Sequence, residues 1–130
     1  MDHLLNWIEI PVVDMKRAVS FYGEILEIEL HQFTMGPIEY ALFPSKDQHN
    51  CGALAKGDGY FPGIQGPTVY LNGGNDLQDI LDRIDDAGGQ ILVPKQLVTD
   101  EVGYIAFIRD TEGNKVGLHN RAHPRREAGK

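Results

Sequence analysis

Glu9 and His119 are the side chains of this chain best suited to moving a proton. Each lies in an alternating run, Trp7-Ile8-Glu9-Ile10-Pro11-Val12-Val13 and Lys115-Val116-Gly117-Leu118-His119. If Ile8, Ile10 and Val12 pack inward on the first run, Trp7 and Glu9 share the opposite face. On the second, packing of Val116 and Leu118 leaves Gly117 and His119 facing out. An imidazole titrates near neutral pH, and a carboxylate beside it can orient it as acid or base. The same pair can also be purely structural, each partner satisfying the other. Thr68, Tyr70 and Asn72 alternate with Val69 and Leu71 in a third run and belong with the outward set. Tyr104 and Arg109 are further candidates; an arginine at a strand end is either a surface charge or a holder of carboxylates. No phosphate-cradling glycine loop, nucleophile triad or zinc spacing occurs, and Gly73-Gly74 reads as a turn. Cys51 is the single cysteine, which excludes an internal disulfide and a cysteine-cluster metal site, and it reads as a small buried apolar residue.

Two segments repeat one plan around these residues. The opening strand is followed by Asp14 as a helix cap and by Met15, Ala18, Val19, Tyr22, Ile25 and Leu26 at helical spacing. The strand Thr68–Asn72 is followed by a cap at Asn75 or Asp76 and by a stripe of Leu77, Ile80, Leu81, Ile84 and Ala87, stopped by Gly88-Gly89. Three short strand-like runs follow each helix: 28–33, 39–43 and 51–56 in the first half, 90–93, 104–109 and 115–119 in the second. The last two flank a polar turn, Asp110-Thr111-Glu112-Gly113-Asn114, which is a hairpin signal. A stretch rich in glycine and proline, residues 57–67, links the halves. The expected fold class is α+β, βαβββ twice, with modules at about 5–56 and 67–120 in one domain spanning 1–120.

The net charge is −7, but residues 121–130 carry +3, so the other 120 residues carry −10. An acidic body argues against a nucleic-acid partner. The basic tail, with Pro124, Ala128 and Gly129, reads as a disordered end. No apolar run reaches the length needed to cross a membrane, and the first residues lack a signal-peptide pattern, so the expected location is cytoplasmic.

The opening Ile8–Tyr22, with its aspartate cap, Arg17-Ala18 and Phe21-Tyr22, and the late turn Asp110–Asn114 resemble the vicinal-oxygen-chelate superfamily of glyoxalases, bleomycin-resistance proteins and extradiol dioxygenases. The resemblance implies two modules forming a cupped, incomplete barrel, a homodimer, and a site where the opening and closing strands of both modules meet. It places the metal ligands of that superfamily at Trp7, within 51–55, at Thr68 (or Pro67), and at Gly117. None of these offers a carboxylate or an imidazole. The resemblance therefore implies a small-molecule-binding domain without the usual metal or any other cofactor, with Trp7, Glu9, Thr68, Tyr70, Tyr104, Gly117 and His119 around the ligand. The rival expectation is an isomerase, lyase or dioxygenase that uses Glu9 and His119 as displaced ligands. Gly117 would leave room for the Trp7 ring or a ligand, and Tyr60-Phe61 would be covered by the partner chain.

Overall fold

Short alternating runs and two amphipathic helices build two like modules. The computed structural model of the chain describes residues 4–46 and 51–122. Module one comprises β1 (Ile8–Pro11), α1 (Met15–Leu26), β2 (His31–Met35), β3 (Ile38–Leu42) and β4 (Gly52–Lys56). Module two comprises β5 (Tyr70–Asn72), α2 (Gln78–Ala87), β6 (Gln90–Thr99), β7 (Gly103–Arg109) and β8 (Lys115–Asn120). The first sheet runs β1-β4-β3-β2 and the second β5-β8-β7-β6. In each module the first and last strands pair in parallel and the rest antiparallel. This is α+β, with two open βαβββ sheets that do not close into a barrel.

Helix α1 starts where expected, with Asp14 Oδ1 accepting from Arg17 N at 3.1 Å. Helix α2 starts later than its sequence suggests. Asp76 Oδ1 accepts from Gln78 N at 2.9 Å, whereas the Gln78 side chain reaches forward to Asp82. Gly88, at φ 102°, ends the helix in the left-handed conformation that lets its N–H meet the last carbonyls. Both helices turn their stripes inward, and Phe21, Tyr22, Ile25, Leu77, Leu81 and Ile84 interleave with Ile10, Val12, Ile108 and Leu118 in one core shared by the modules. Cys51 departs from its expected burial and lies exposed just before β4.

Polar contacts lock the modules together. Glu112, in the turn before β8, accepts from Val13 N (2.9 Å), Asp14 N (2.7 Å), Arg17 Nε (2.7 Å) and Thr111 Oγ1 (2.9 Å). Its carboxylate thus supplies acceptors to the free N–H groups at the start of α1 and sits at the positive end of that helix. Asn114 donates to Pro11 O at 2.8 Å and accepts from Gly63 N at 3.0 Å, joining β1, the linker and the turn. Beneath them Asp110 accepts from Tyr22 Oη at 2.6 Å, from Asn114 Nδ2 at 2.9 Å, and from the N–H groups of Glu112 (2.9 Å) and Asn114 (2.8 Å). Burial foremost, and then the Asp110 carboxylate, hold the Tyr22 phenol far above its ordinary range. At the other end of the helices, Arg83 donates to Ile25 O at 2.7 Å and meets Glu27 at 2.9 Å.

Candidate functional site

With one face of each sheet on the core, alternation fixes what the other face carries. On the first sheet the register aligns Glu9, Ala53, Leu42 and His31 in one row and Pro11, Ala55, Tyr40 and Phe33 in the next. Ala53 and Ala55 leave the middle of this face shallow, and rings rise at its edge. His31 stacks on Phe33 with centroids 6.1 Å apart, and Phe33 on Tyr40 at 5.3 Å. On the second sheet one row holds Tyr70, Gly117, Phe107 and Val93, and another Asn72, His119, Ile105 and Gln96.

Glu9 faces the cup, as alternation predicts, and is held there by protein donors. Trp7 Nε1 donates to its Oε2 at 3.2 Å, and Tyr60 Oη to its Oε1 at 2.7 Å. The hydrogen bond to Glu9, followed by one involving Tyr40, raises the Tyr60 phenol above its ordinary range, so the donor stays protonated. The linker is thereby strapped to the first sheet by one side chain. Tyr60 packs beside Tyr40, Ala53 and Ala55, whereas its neighbour Phe61 is 83% exposed in the single chain.

His119 shares the outward face of β8 with Gly117 but does not meet Glu9. Its Nε2 lies 2.6 Å from Val102 O, in the β6–β7 turn. A carbonyl only accepts, so Nε2 carries the proton and a neutral ring keeps Nδ1 as its acceptor. The expected Glu9–His119 pair is replaced by two separate sets of partners. Tyr104 is also corrected: it pairs with Asn120 in the row that turns to the core, packs against that core, and carries Lys95 Nζ 4.4 Å from its ring centroid. Thr68 precedes β5 and is exposed, and Tyr70 stands half-exposed on β5. The space above Gly117 is filled by a ring, but the ring is Tyr70, not Trp7. A Cβ on Gly117 would lie 2.5 Å from Tyr70 Cδ1, so the glycine permits the close approach of its strand neighbour. Of the other histidines, His31 is exposed beside Phe33, and His3, His49 and His123 lie outside the described residues, as do 124–130 of the basic tail.

A cavity of about 370 Å³ opens at the seam where β1 meets the second sheet. Ile8, Ile10, Val69 and Val116 form its apolar wall, Glu9 and Lys115 stand on opposite strands at its rim, and Phe61 and Ile64 of the linker cover it. A wider hollow of about 670 Å³ lies at the other end of the seam, between α1 and the start of α2, with Cys51 and Asp79 in its lining.

The donor set does not suit the metal expected from the resemblance. Trp7, Thr68 and Gly117 occupy three of the four positions, and 51–55 contains no carboxylate or imidazole. Among the described residues no three His, Cys, Asp or Glu side chains converge. The lone carboxylate nearby, Glu9, is already engaged by Trp7 and Tyr60.

The model of the Glyoxalase/Bleomycin resistance protein/Dioxygenase superfamily matches residues 4–118. The chain belongs to that superfamily. Glyoxalase I from Zea mays superposes with a TM-score of 0.69 at 20% identity, covering 92% of this chain and 45% of that one. The chain thus spans about half the length of the maize enzyme. TnmS3, an antibiotic binding protein from Streptomyces sp. CB03234, superposes with a TM-score of 0.64 at 23% identity, covering 92% of this chain and 95% of that one. A glyoxalase family protein from Bacillus cereus gives 0.63 at 19% identity, covering 91% and 94%. At these identities the likeness establishes the fold. No curated protein sequence matches. Among the described residues no helix is long and apolar enough to cross a membrane.

Proposed function

We propose that this domain binds a small organic molecule in its cup without the catalytic metal of its superfamily, and that it works as a homodimer. The observation that carries the reading is the replacement of oxygen and imidazole donors by Trp7, Thr68 and Gly117 in a cup lined with half-exposed rings. Trp7 is 42% exposed, Phe33 38% and Tyr70 48%, each an open ring face on which a flat molecule can stack. The antibiotic-binding relative of nearly equal length is in keeping with it. Site residues on this reading are Trp7, Glu9, Thr68, Tyr70, Gly117 and His119. The rival, an enzyme with Glu9 and His119 as displaced ligands, has less support because Nε2 of His119 is spent on Val102 and Glu9 on Tyr60.

Trp7 is the single tryptophan, so its emission reports on the cup. Titration with planar organic compounds is expected to quench it and to raise the melting midpoint, because a ligand of the folded state stabilises that state. Nickel, zinc, manganese and iron are expected to leave the midpoint unmoved. One metal ion per cup, lost in Glu9→Gln, would overturn the reading.

The dimer rests on Phe61 and Ile64, 83% and 56% exposed on adjoining linker turns. Sedimentation at micromolar concentration is expected to give twice the chain mass, and Phe61→Asp is expected to shift it toward the monomer.

A further inference from the structure

The outward face of the second sheet carries a charge arrangement that folding alone disfavours. Arg109 and Lys115 stand directly opposite each other on β7 and β8. Like charges in that register repel. Both belong to the outward rows, since Val116 and Ile108 beside them go to the core. The chain is acidic, with eighteen Asp and Glu against eight Lys and Arg before the tail. Of the six other cations before the tail, four find carboxylates, Arg17 with Glu112, Lys56 with Glu39, Arg83 with Glu27 and Lys95 with Asp76, while Lys16 and Lys46 stand apart from each other without one among the described residues. Neither Arg109 nor Lys115 forms an ion pair among the described residues. Lys115 instead places Nζ 5.1 Å from the centroid of Phe107, whose ring lies 5.6 Å from that of Tyr70. Two unneutralised cations therefore border a pair of rings, and one of them, Lys115, stands at the rim of the seam cavity with Glu9 on the opposing strand.

We infer that Arg109 and Lys115 form an oxyanion-recognition site and that the cup takes a planar aromatic carboxylate, its ring stacked on Tyr70 with the Phe107 ring, inclined at 53°, against its edge, and its anion against the two cations. The inference rests on the reading of the cup as a ligand site and adds the ligand class. The guanidinium suits a carboxylate because its N–H fork can engage both oxygens. Glu9 repels an anion from the other wall of the cavity and so fixes which end of the ligand faces β8.

The test uses the full chain with 2-naphthoate and its neutral isostere 2-naphthamide, followed by backbone amide shifts and Trp7 emission at low and high salt. The acid is expected to bind more tightly than the amide by about tenfold at low salt, with the preference shrinking as salt rises. Lys115→Gln and Arg109→Gln are each expected to weaken the acid by about threefold to tenfold while leaving the amide unchanged. Without ligand, Lys115→Gln is expected to hold or raise the melting midpoint, because it relieves a repulsion. A lower midpoint would make the pair structural and overturn the inference. Equal binding of acid and amide in the cup would overturn the anion site and leave the ligand-binding reading standing. If neither compound shifts the Tyr70, Phe107 and Gly117 amides, both readings fall. If Lys115→Gln instead changes the association of two chains in a salt-dependent way, the anion belongs to a second copy and the inference is wrong.

Discussion

Asp110→Ala is expected to remove about 3–5 kcal/mol of stability, the cost of taking one partner out of a buried charged network. Asp110 is 4% exposed and has four donors aimed at it: the Tyr22 hydroxyl, the Asn114 amide and two backbone N–H groups. Alanine leaves all four without their acceptor, and each orphaned donor costs about 1–3 kcal/mol before relaxation. Tyr22 is the worst placed, since its ring is fully buried against Phe21 and Phe43. For a domain whose total stability is about 5–15 kcal/mol, the loss should lower the melting midpoint by more than about 10 °C. Asp110→Asn keeps the volume and one acceptor oxygen and should cost roughly half as much. Tyr22→Phe in the Asp110→Ala background should restore part of the loss, because it deletes the donor that alanine strands. Scanning calorimetry of the four proteins is the measurement. A midpoint for Asp110→Ala within about 2 °C of the parent would mean that the hairpin turn does not anchor α1.

That result bears on why some of the molecule could be read from its residues and some could not. The helices could, because a stripe at 3.6-residue spacing both makes the helix and names its buried face; Ala18, Tyr22, Ile25, Ile80 and Ile84 are buried as their spacing demands. The outward faces of β1, β5 and β8 could be read from alternation in the same way. Partners could not. Alternation states that Glu9 and His119 leave the core but not what each meets, and that depends on a linker tyrosine 51 residues from Glu9 and a turn carbonyl 17 residues from His119. Tyr104, a candidate by residue type alone, faces the core because it shares a row with Ala106 and Ile108 and pairs with Asn120. Strand β6 runs to Thr99 rather than 93 because it is an edge strand, where Pro94 is tolerated and three register shifts absorb the irregularity. Gly117 carried a readable signal of close approach, but the identity of the ring waited on the Tyr70–Gly117 register. The turn Asp110–Asn114 was recognisable as a turn, while its bonds to residues nearly a hundred positions earlier arise only when the modules dock.

Acid should unlock the same contact through Glu112. Its carboxyl side chain is fully buried, which by itself pushes the pKa up. The Arg17 guanidinium, the N–H groups of Asp14 and Val13 and the Thr111 hydroxyl outweigh that burial and hold the group at about 2, against an ordinary value of 4.5. The folded chain therefore binds this proton more weakly than the unfolded chain. The contribution is complete above about pH 4.5 and is lost as the pH falls toward 2, and its full size is on the order of 3 kcal/mol. Asp76, lowered by its hydrogen bonds to Lys95 and to the Gln78 N–H, acts in the same direction from a more exposed position, so the parent protein alone cannot apportion the slope. Glu112→Gln can. It should be less stable than the parent at pH 7 and should approach it as the pH falls below 4.5, because the parent then loses what the variant never had. Arg17→Met should do the same to a smaller degree, since half of the Arg17 side chain is open to water and the backbone donors remain. Urea midpoints of the three proteins between pH 7 and pH 2 would decide the matter. Parallel curves, with the gap between parent and Glu112→Gln unchanged down to pH 2, would show that Glu112 docks the helix by shape and hydrogen bonding rather than by charge.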